Sequence, residues 1–157
     1  MLLSFVIVSW NTRDLLRACL VSLKEEIATM PNPADVEVFL VDNASADGSA
    51  KMAQEEHPWV HLIANSDNKG FAKANNQAFA LAGGRFILLL NPDTEIKPGA
   101  LSTLLAFFDN HPRAGIVAPQ LLNTDGTVQR SCREFPTFVG MLYELIGLSR
   151  LFPANSS

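Results

Sequence analysis

Asn, Asp and Ser collect directly after four apolar runs of the chain. Ser9-Trp10-Asn11 follows the first, Asp42-Asn43-Ala44-Ser45 the second, Asn65-Ser66-Asp67-Asn68 the third and Asn91-Pro92-Asp93-Thr94 the fourth. Such side chains hydrogen-bond polar ligands, and a carboxylate among them can hold a hard divalent ion. They are also common turn and helix-cap residues, so one exit alone carries little, whereas four together point to a site. The chain has neither a G-x-x-x-x-G-K-[ST] loop nor a G-x-G-x-x-G after its first apolar run, which disfavours a glycine-cradled phosphate. A diphosphate would then need a carboxylate-held cation to offset its charge, and Asp93 is the candidate ligand.

These exits need elements to position them. Apolar, β-rich runs at residues 5–8, 36–41, 60–63, 86–90 and 115–118 read as strands. Between them lie helical spacings: Leu15, Leu16, Cys19, Leu20 and Leu23 after the cap candidates Asn11 and Thr12, then Leu101, Leu104, Leu105 and Phe108 after Pro98. Alternating strands and helices, with a near-continuous apolar run such as Phe86-Ile87-Leu88-Leu89-Leu90, predict a mostly parallel sheet covered on both faces. The fold class is α/β, a three-layer α/β/α sandwich, and in such folds ligands bind outside the carboxyl ends of the strands.

The 157 residues suit one domain. Hydrophobic residues make up 48% and charged ones 18%, which excludes a disordered tail. A formal charge of -4 without a basic run argues against nucleic acid as a partner. Cys19 and Cys132 have no ligand spacing and read as reduced thiols. The apolar start is too short to span a membrane and lacks a basic leader, so it reads as a buried strand of a cytoplasmic protein.

Four ordered phrases resemble family 2 glycosyltransferases, especially the bacterial rhamnosyltransferase-like branch. They are Ser4-Phe5-Val6-Ile7-Val8-Ser9-Trp10-Asn11, Val41-Asp42-Asn43-Ala44-Ser45-Ala46-Asp47-Gly48-Ser49, Asn68-Lys69-Gly70-Phe71-Ala72-Lys73-Ala74-Asn75-Asn76 and Leu90-Asn91-Pro92-Asp93-Thr94. The resemblance implies a Rossmann-like glycosyltransferase A fold (GT-A) and a nucleotide-diphosphate sugar donor, with Mg²⁺ or Mn²⁺ on its diphosphate. By the same resemblance Val8, Ser9, Trp10 and Asn11 would line the nucleotide side, and Asp42 with Asn43 would hydrogen-bond the base or ribose. Family members often carry a second acid where Asn43 stands, which leaves the base preference open. Gly70 would let the backbone pass close to the donor. Lys73 either reaches the diphosphate or is a solvated surface lysine, and Asn76 is either a loop-to-helix clasp or a donor contact. Asp93 matches the last acid of the family's D-x-D element, with Asn91 in the place of the first.

The resemblance further implies inverting transfer to a saccharide or lipid-linked acceptor in cell-surface polysaccharide synthesis. It assigns no general base, because no later acidic phrase precedes Ser157. Residues 1–157 are thus either the amino-terminal, donor-binding part of a longer enzyme or a short homologue that binds nucleotide sugar without efficient transfer. A nucleotidyltransferase of similar fold is disfavoured, since its Gly-rich, basic amino-terminal loop is absent. The apolar 135–152 segment predicts a homo-oligomer, association with the inner membrane surface, or a terminal helix on the domain's own sheet. His57, His61 and His111 read as surface or loop residues, Trp59 as packing, and Trp10 as either a base-stacking or a rim residue.

Overall fold

A computed structural model describes residues 2–129 and 131 of the chain. Two compact units divide it, Met1–Gly115 and Ile116–Ser157.

The first unit is a parallel sheet between helices. Its elements run β1 (Leu3–Ser9), α1 (Arg13–Ala28), a 3-10 turn (Pro33–Asp35), β2 (Val36–Asp42), α2 (Ser49–Glu56), β3 (His61–Ala64), α3 (Phe71–Phe79), β4 (Phe86–Leu90) and α4 (Ala100–Asn110). The strand order is β3-β2-β1-β4, every pair parallel, with Ser9 level with Asp42 and Asp42 level with Ala64.

Successive side chains of a strand point to opposite faces, so β1 feeds two cores. Leu3, Phe5 and Ile7 join Leu16, Cys19, Leu20 and Leu23 of α1, Met52 and Ala53 of α2, and Leu101 of α4. Val6 joins Phe39, Val41 and, from α3, Ala74 and Ala78 on the other face. These are the three layers the sequence predicts. Because crossovers between parallel strands are right-handed, α1 and α2 share one face as the chain steps from β1 to β3, and α3 takes the other as it returns to β4.

Four expectations need correction. The Phe86–Leu90 run is covered on one face only, Ile87 being 48% and Leu89 55% exposed, because β4 is at the end of the strand order and α3 packs over β1 and β2. Leu15 is 54% exposed, because the buried stripe centres between Leu16, Cys19, Leu20 and Leu23, roughly 90° round the helix from it. The expected strand at 115–118 is absent, and Ile116 is 92% exposed; a four-residue apolar run before a proline makes a strand only where a neighbour supplies the ladder. His57 is buried rather than on the surface, at 5% exposed, edge-on to Trp59 with ring centroids 6.2 Å apart. Neither ring nitrogen has a hydrogen-bond partner among the described residues. His61 and His111 are exposed, stacked on Phe39 and Phe107.

In the second unit, Leu122 and Val128 form an antiparallel bridge. They close a turn in which the Asp125 carboxylate accepts from the Thr127 amide at 2.9 Å and its hydroxyl at 2.6 Å. The 135–152 segment, Arg130 and Cys132 lie outside the described residues. Among those described, no helix is long and apolar enough to cross a membrane.

One buried acid continues the α1 stripe. Glu26, 3% exposed, accepts from the Gly99 amide at 2.9 Å and the Leu101 amide at 3.1 Å. Its carboxylate therefore caps the first turn of α4, where the helix dipole favours negative charge. Glu26→Ala should cost about 1–3 kcal/mol by stranding these amides. Urea unfolding reads the loss and amide exchange at Gly99 and Leu101 locates it; exchange unchanged at both would refute the cap.

Burial also holds the His57 imidazole below its usual pKa, with Glu56 opposing and Lys24 and Arg17 reinforcing the shift. The unfolded chain then takes up the proton first, so stability is full above about pH 6.5 and declines as pH falls from there towards the folded value. His57→Phe should flatten that decline, whose slope is at most about 1.4 kcal/mol per pH unit. Equal slopes for both proteins in urea titrations across this range would count against it.

Candidate functional site

All four strands end at the same edge, so their exits form one rim. The exits of β1, β2 and β4 lead to helices on one face and that of β3 to a helix on the other, so the switch point of the sheet lies between the neighbours β2 and β3, where ligand crevices of open α/β sheets form.

On the β1–β2 side the exit loops are laced together. Asn11, in a left-handed backbone conformation with φ of 54°, donates its backbone amide to the Ser45 hydroxyl at 2.9 Å. Its side-chain oxygen accepts from the Ala46 amide at 2.8 Å. Thr12 precedes α1 without capping it through its side chain; its hydroxyl instead meets that of buried Ser9 at 2.9 Å. The amide of Arg13, in the first turn of α1, is taken by Asp47 at 2.8 Å, and Asp47 also accepts from the Ser49 amide at 3.0 Å and hydroxyl at 2.6 Å. Burial would raise the Asp47 carboxyl pKa, but the Ser49 hydroxyl and these two amides outweigh it and hold the group below its ordinary value. Asp47 thus ties the starts of α1 and α2 together. The D-G-S spacing suggests a turn before α2, but not the reach to Arg13.

Asp42 is the chemically open group here. It is 3% exposed, and one carboxylate oxygen accepts from the Ser45 amide at 3.0 Å while the other has no partner among the described residues. A buried acceptor without a partner is costly and recurs where a ligand supplies the missing donor. Asn43 is equally buried, but both ends of its amide are already hydrogen-bonded within the protein. Val8 is half-buried against the α3 face, and Trp10 is 56% exposed at the rim.

Beyond β3, Gly70 begins α3 with φ of 78°, and a Cβ there would meet nothing within 4 Å. Positive φ, rather than crowding, calls for glycine, and the space above its backbone is open. Gly70 has no side chain with which to cap the first turn of α3. Lys73 and Asn76 on that helix are exposed, and among the described residues Lys73 makes no ion pair, whereas Lys69 is paired with Asp67.

Asn91 and Asp93 sit apart from this lacework, in the turn after β4. The Asn91 carbonyl accepts from the Thr94 amide at 3.3 Å and hydroxyl at 2.7 Å, and the Cys19 thiol lies 3.7 Å away. Burial, then the charge of Asp93, pushes that thiol up to about 12, so it stays protonated. Asn91 and Asp93 are both exposed. No group of three or more His, Cys, Asp or Glu that could hold a metal occurs among the described residues. One free carboxylate beside one amide fits a hard ion that takes its other ligands from phosphate and water; it does not fit an all-protein cage.

Residues 4–154 match the family model described as Glycosyl transferase family 2. Among curated proteins, the N-acetylglucosaminyl-diphospho-decaprenol L-rhamnosyltransferase of Mycobacterium tuberculosis (strain CDC 1551 / Oshkosh) is 31% identical over 124 residues, 71% of this chain and 40% of that protein. The chain therefore spans less than half of that relative's length. Among solved structures, S. aureus TarS in complex with UDP-GlcNAc is 25% identical with a TM-score of 0.62, over 76% of this chain and 37% of that one. The mannosyltransferase PcManGT from Pyrobaculum calidifontis, in complex with GDP-Man and Mn2+, shares the fold at 22% identity and a TM-score of 0.60, over 68% of this chain and 32% of that one. The parallel sheet is that of the GT-A glycosyltransferases, and with nearly its whole length inside the family match the chain belongs to glycosyl transferase family 2.

Proposed function

We propose that residues 1–157 are the donor-binding domain of an inverting glycosyltransferase that takes a uridine or deoxythymidine diphosphate sugar. The observation that carries this reading is the buried Asp42 carboxylate with one unpartnered oxygen at the mouth of the crevice. A pyrimidine N–H or a ribose hydroxyl would satisfy it, and Trp10 offers an exposed ring for stacking beside it. The nucleotide would lie along Val8 to Asn11 and Asp42, and the diphosphate over Gly70.

In transfer, the acceptor hydroxyl oxygen attacks the anomeric carbon opposite the phosphate, the sugar–phosphate bond breaks, and its electron pair stays on the diphosphate. A Mg²⁺ or Mn²⁺ ion, when bound, offsets that charge. Asp93 would hold the ion together with phosphate oxygens and water, Asn91 would contact the donor, and Lys73 and the start of α3 would offset further charge on the phosphates. The hydroxyl proton passes to a base in a part of the enzyme not assigned to these residues.

The relative that acts on a decaprenol-linked sugar supports a saccharide or lipid-linked acceptor. On this reading the transfer belongs to cell-surface polysaccharide synthesis and takes place at the inner face of the membrane.

Two measurements test the reading. Titration calorimetry with UDP and dTDP should show binding strengthened by Mn²⁺, and Asp93→Ala should remove the metal-dependent gain. Heat that is independent of metal and unchanged in Asp93→Ala would defeat the ion site. Asp42→Leu should weaken both nucleotides by roughly tenfold or more, as expected for a charged hydrogen bond; equal affinity would move the base elsewhere.

A further inference from the structure

Four side-chain amides form one network between the exits of β2 and β3. Asn43 Oδ1 accepts from the Lys69 amide at 2.9 Å and from Asn65 Nδ2 at 3.2 Å. Asn43 Nδ2 donates to Asn68 Oδ1 at 2.8 Å, and that oxygen also accepts from the Gly70 amide at 2.9 Å. Asn65 and Gln77 of α3 exchange two further bonds, both 2.9 Å. The Asn43 backbone amide is itself given to Ser9 at 2.8 Å.

A backbone N–H can only donate. The amides of Lys69 and Gly70 therefore fix which ends of Asn43 and Asn68 are oxygen, and an N–H at position 43 must face Asn68 Oδ1. Both acceptor sites of Asn43 are filled and one of its two N–H donors is used. Asp42 beside it keeps a carboxylate oxygen free.

We infer that Asn43 is a positioning residue: through Asn68 and Lys69 it holds the 65–70 loop, and with it the left-handed backbone of Gly70, in the shape that receives the diphosphate. Reading of the base falls to Asp42. This role rests on the donor-binding function proposed above. An acid at position 43 keeps the two acceptances but sets a carboxylate oxygen against Asn68 Oδ1. Asn68 can relieve that contact only by turning its amide and releasing Gly70.

The experiment compares the chain with Asn43→Asp and with Asn68→Ala, the latter at an exposed position where folding is not at stake. It reads calorimetric affinity for UDP and dTDP with Mn²⁺, amide exchange at Lys69 and Gly70, and the urea midpoint. Both variants are expected to lose roughly tenfold in affinity for UDP and dTDP alike, leaving the ratio between them unchanged. Exchange at Gly70 should rise in both. Asn43→Asp alone should recover affinity towards acid pH, because a protonated carboxyl again has an O–H for Asn68.

A changed UDP to dTDP ratio in Asn43→Asp would make Asn43 a base reader and overturn the inference. A lowered urea midpoint with unaltered affinity of the folded protein would make it a purely structural residue and overturn the inference as well. If UDP binds the unmodified chain and both variants equally, only the positioning role falls. If UDP does not bind the unmodified chain, the donor-binding reading falls and takes this role with it.

Discussion

Parallel strands can be joined only by crossovers that return the chain to the starting edge, and this constraint organises the Met1–Gly115 unit. It brings the residues after β1, β2, β3 and β4 to one rim although they are separated by tens of residues in sequence. The right-handedness of the crossovers decides the rest. Stepping from β1 to β3 keeps α1 and α2 on one face, and returning to β4 forces α3 onto the other. Neighbouring β2 and β3 therefore send their exits to opposite faces, and the rim's polar network is concentrated beside that point.

The rim is rigid on one side and spare on the other. Around β1 to β3, side chains of one loop satisfy the backbone of the next: Asn11 takes Ala46, Asp47 takes Arg13 and Asn43 takes Lys69. Each such bond contributes only about 1 kcal/mol, but together they order the loops before a ligand arrives, so less freedom remains to be lost on binding. Among the described residues the β4 exit has no such loop-to-loop bond; α1 holds it instead, the Ser22 hydroxyl accepting from the Ile96 amide and Glu26 from those of Gly99 and Leu101. Its turn is held by Thr94 within itself and by contact with the buried Cys19 thiol, and Asp93 is left exposed. That contrast suits a nucleotide pocket formed in advance and a cation that arrives with the diphosphate.

Much of this was legible in the residues. The strand at 86–90 and the alternation of strand and helix followed from apolar runs and periodicity, although that strand is covered on one face only, with Ile87 48% and Leu89 55% exposed. Elsewhere local reading failed for identifiable reasons. Leu15 has the right chemistry for the core but the wrong angle round its helix, and Glu26 has the wrong chemistry yet lies inside because α4 presents two unpaired amides to it. At residues 115–118 apolar character alone read as a strand, although pairing depends on a neighbour that sequence does not supply. His57 has the local context of a loop residue, and it is the packing of Trp59 against it that takes it out of water.

What the amino-acid order determined by itself was the alternation of elements, the polar character of every strand exit and the family phrases they belong to, since these depend on residue type and short-range spacing. What only tertiary structure decided was the partner of each polar group. Asp42 and Asn43 are neighbours of similar shape, yet one keeps a free oxygen and the other spends its amide on the 65–70 loop. Their difference arises because strand register and loop path set which donors come within about 3 Å, and hydrogen bonding vanishes beyond that reach.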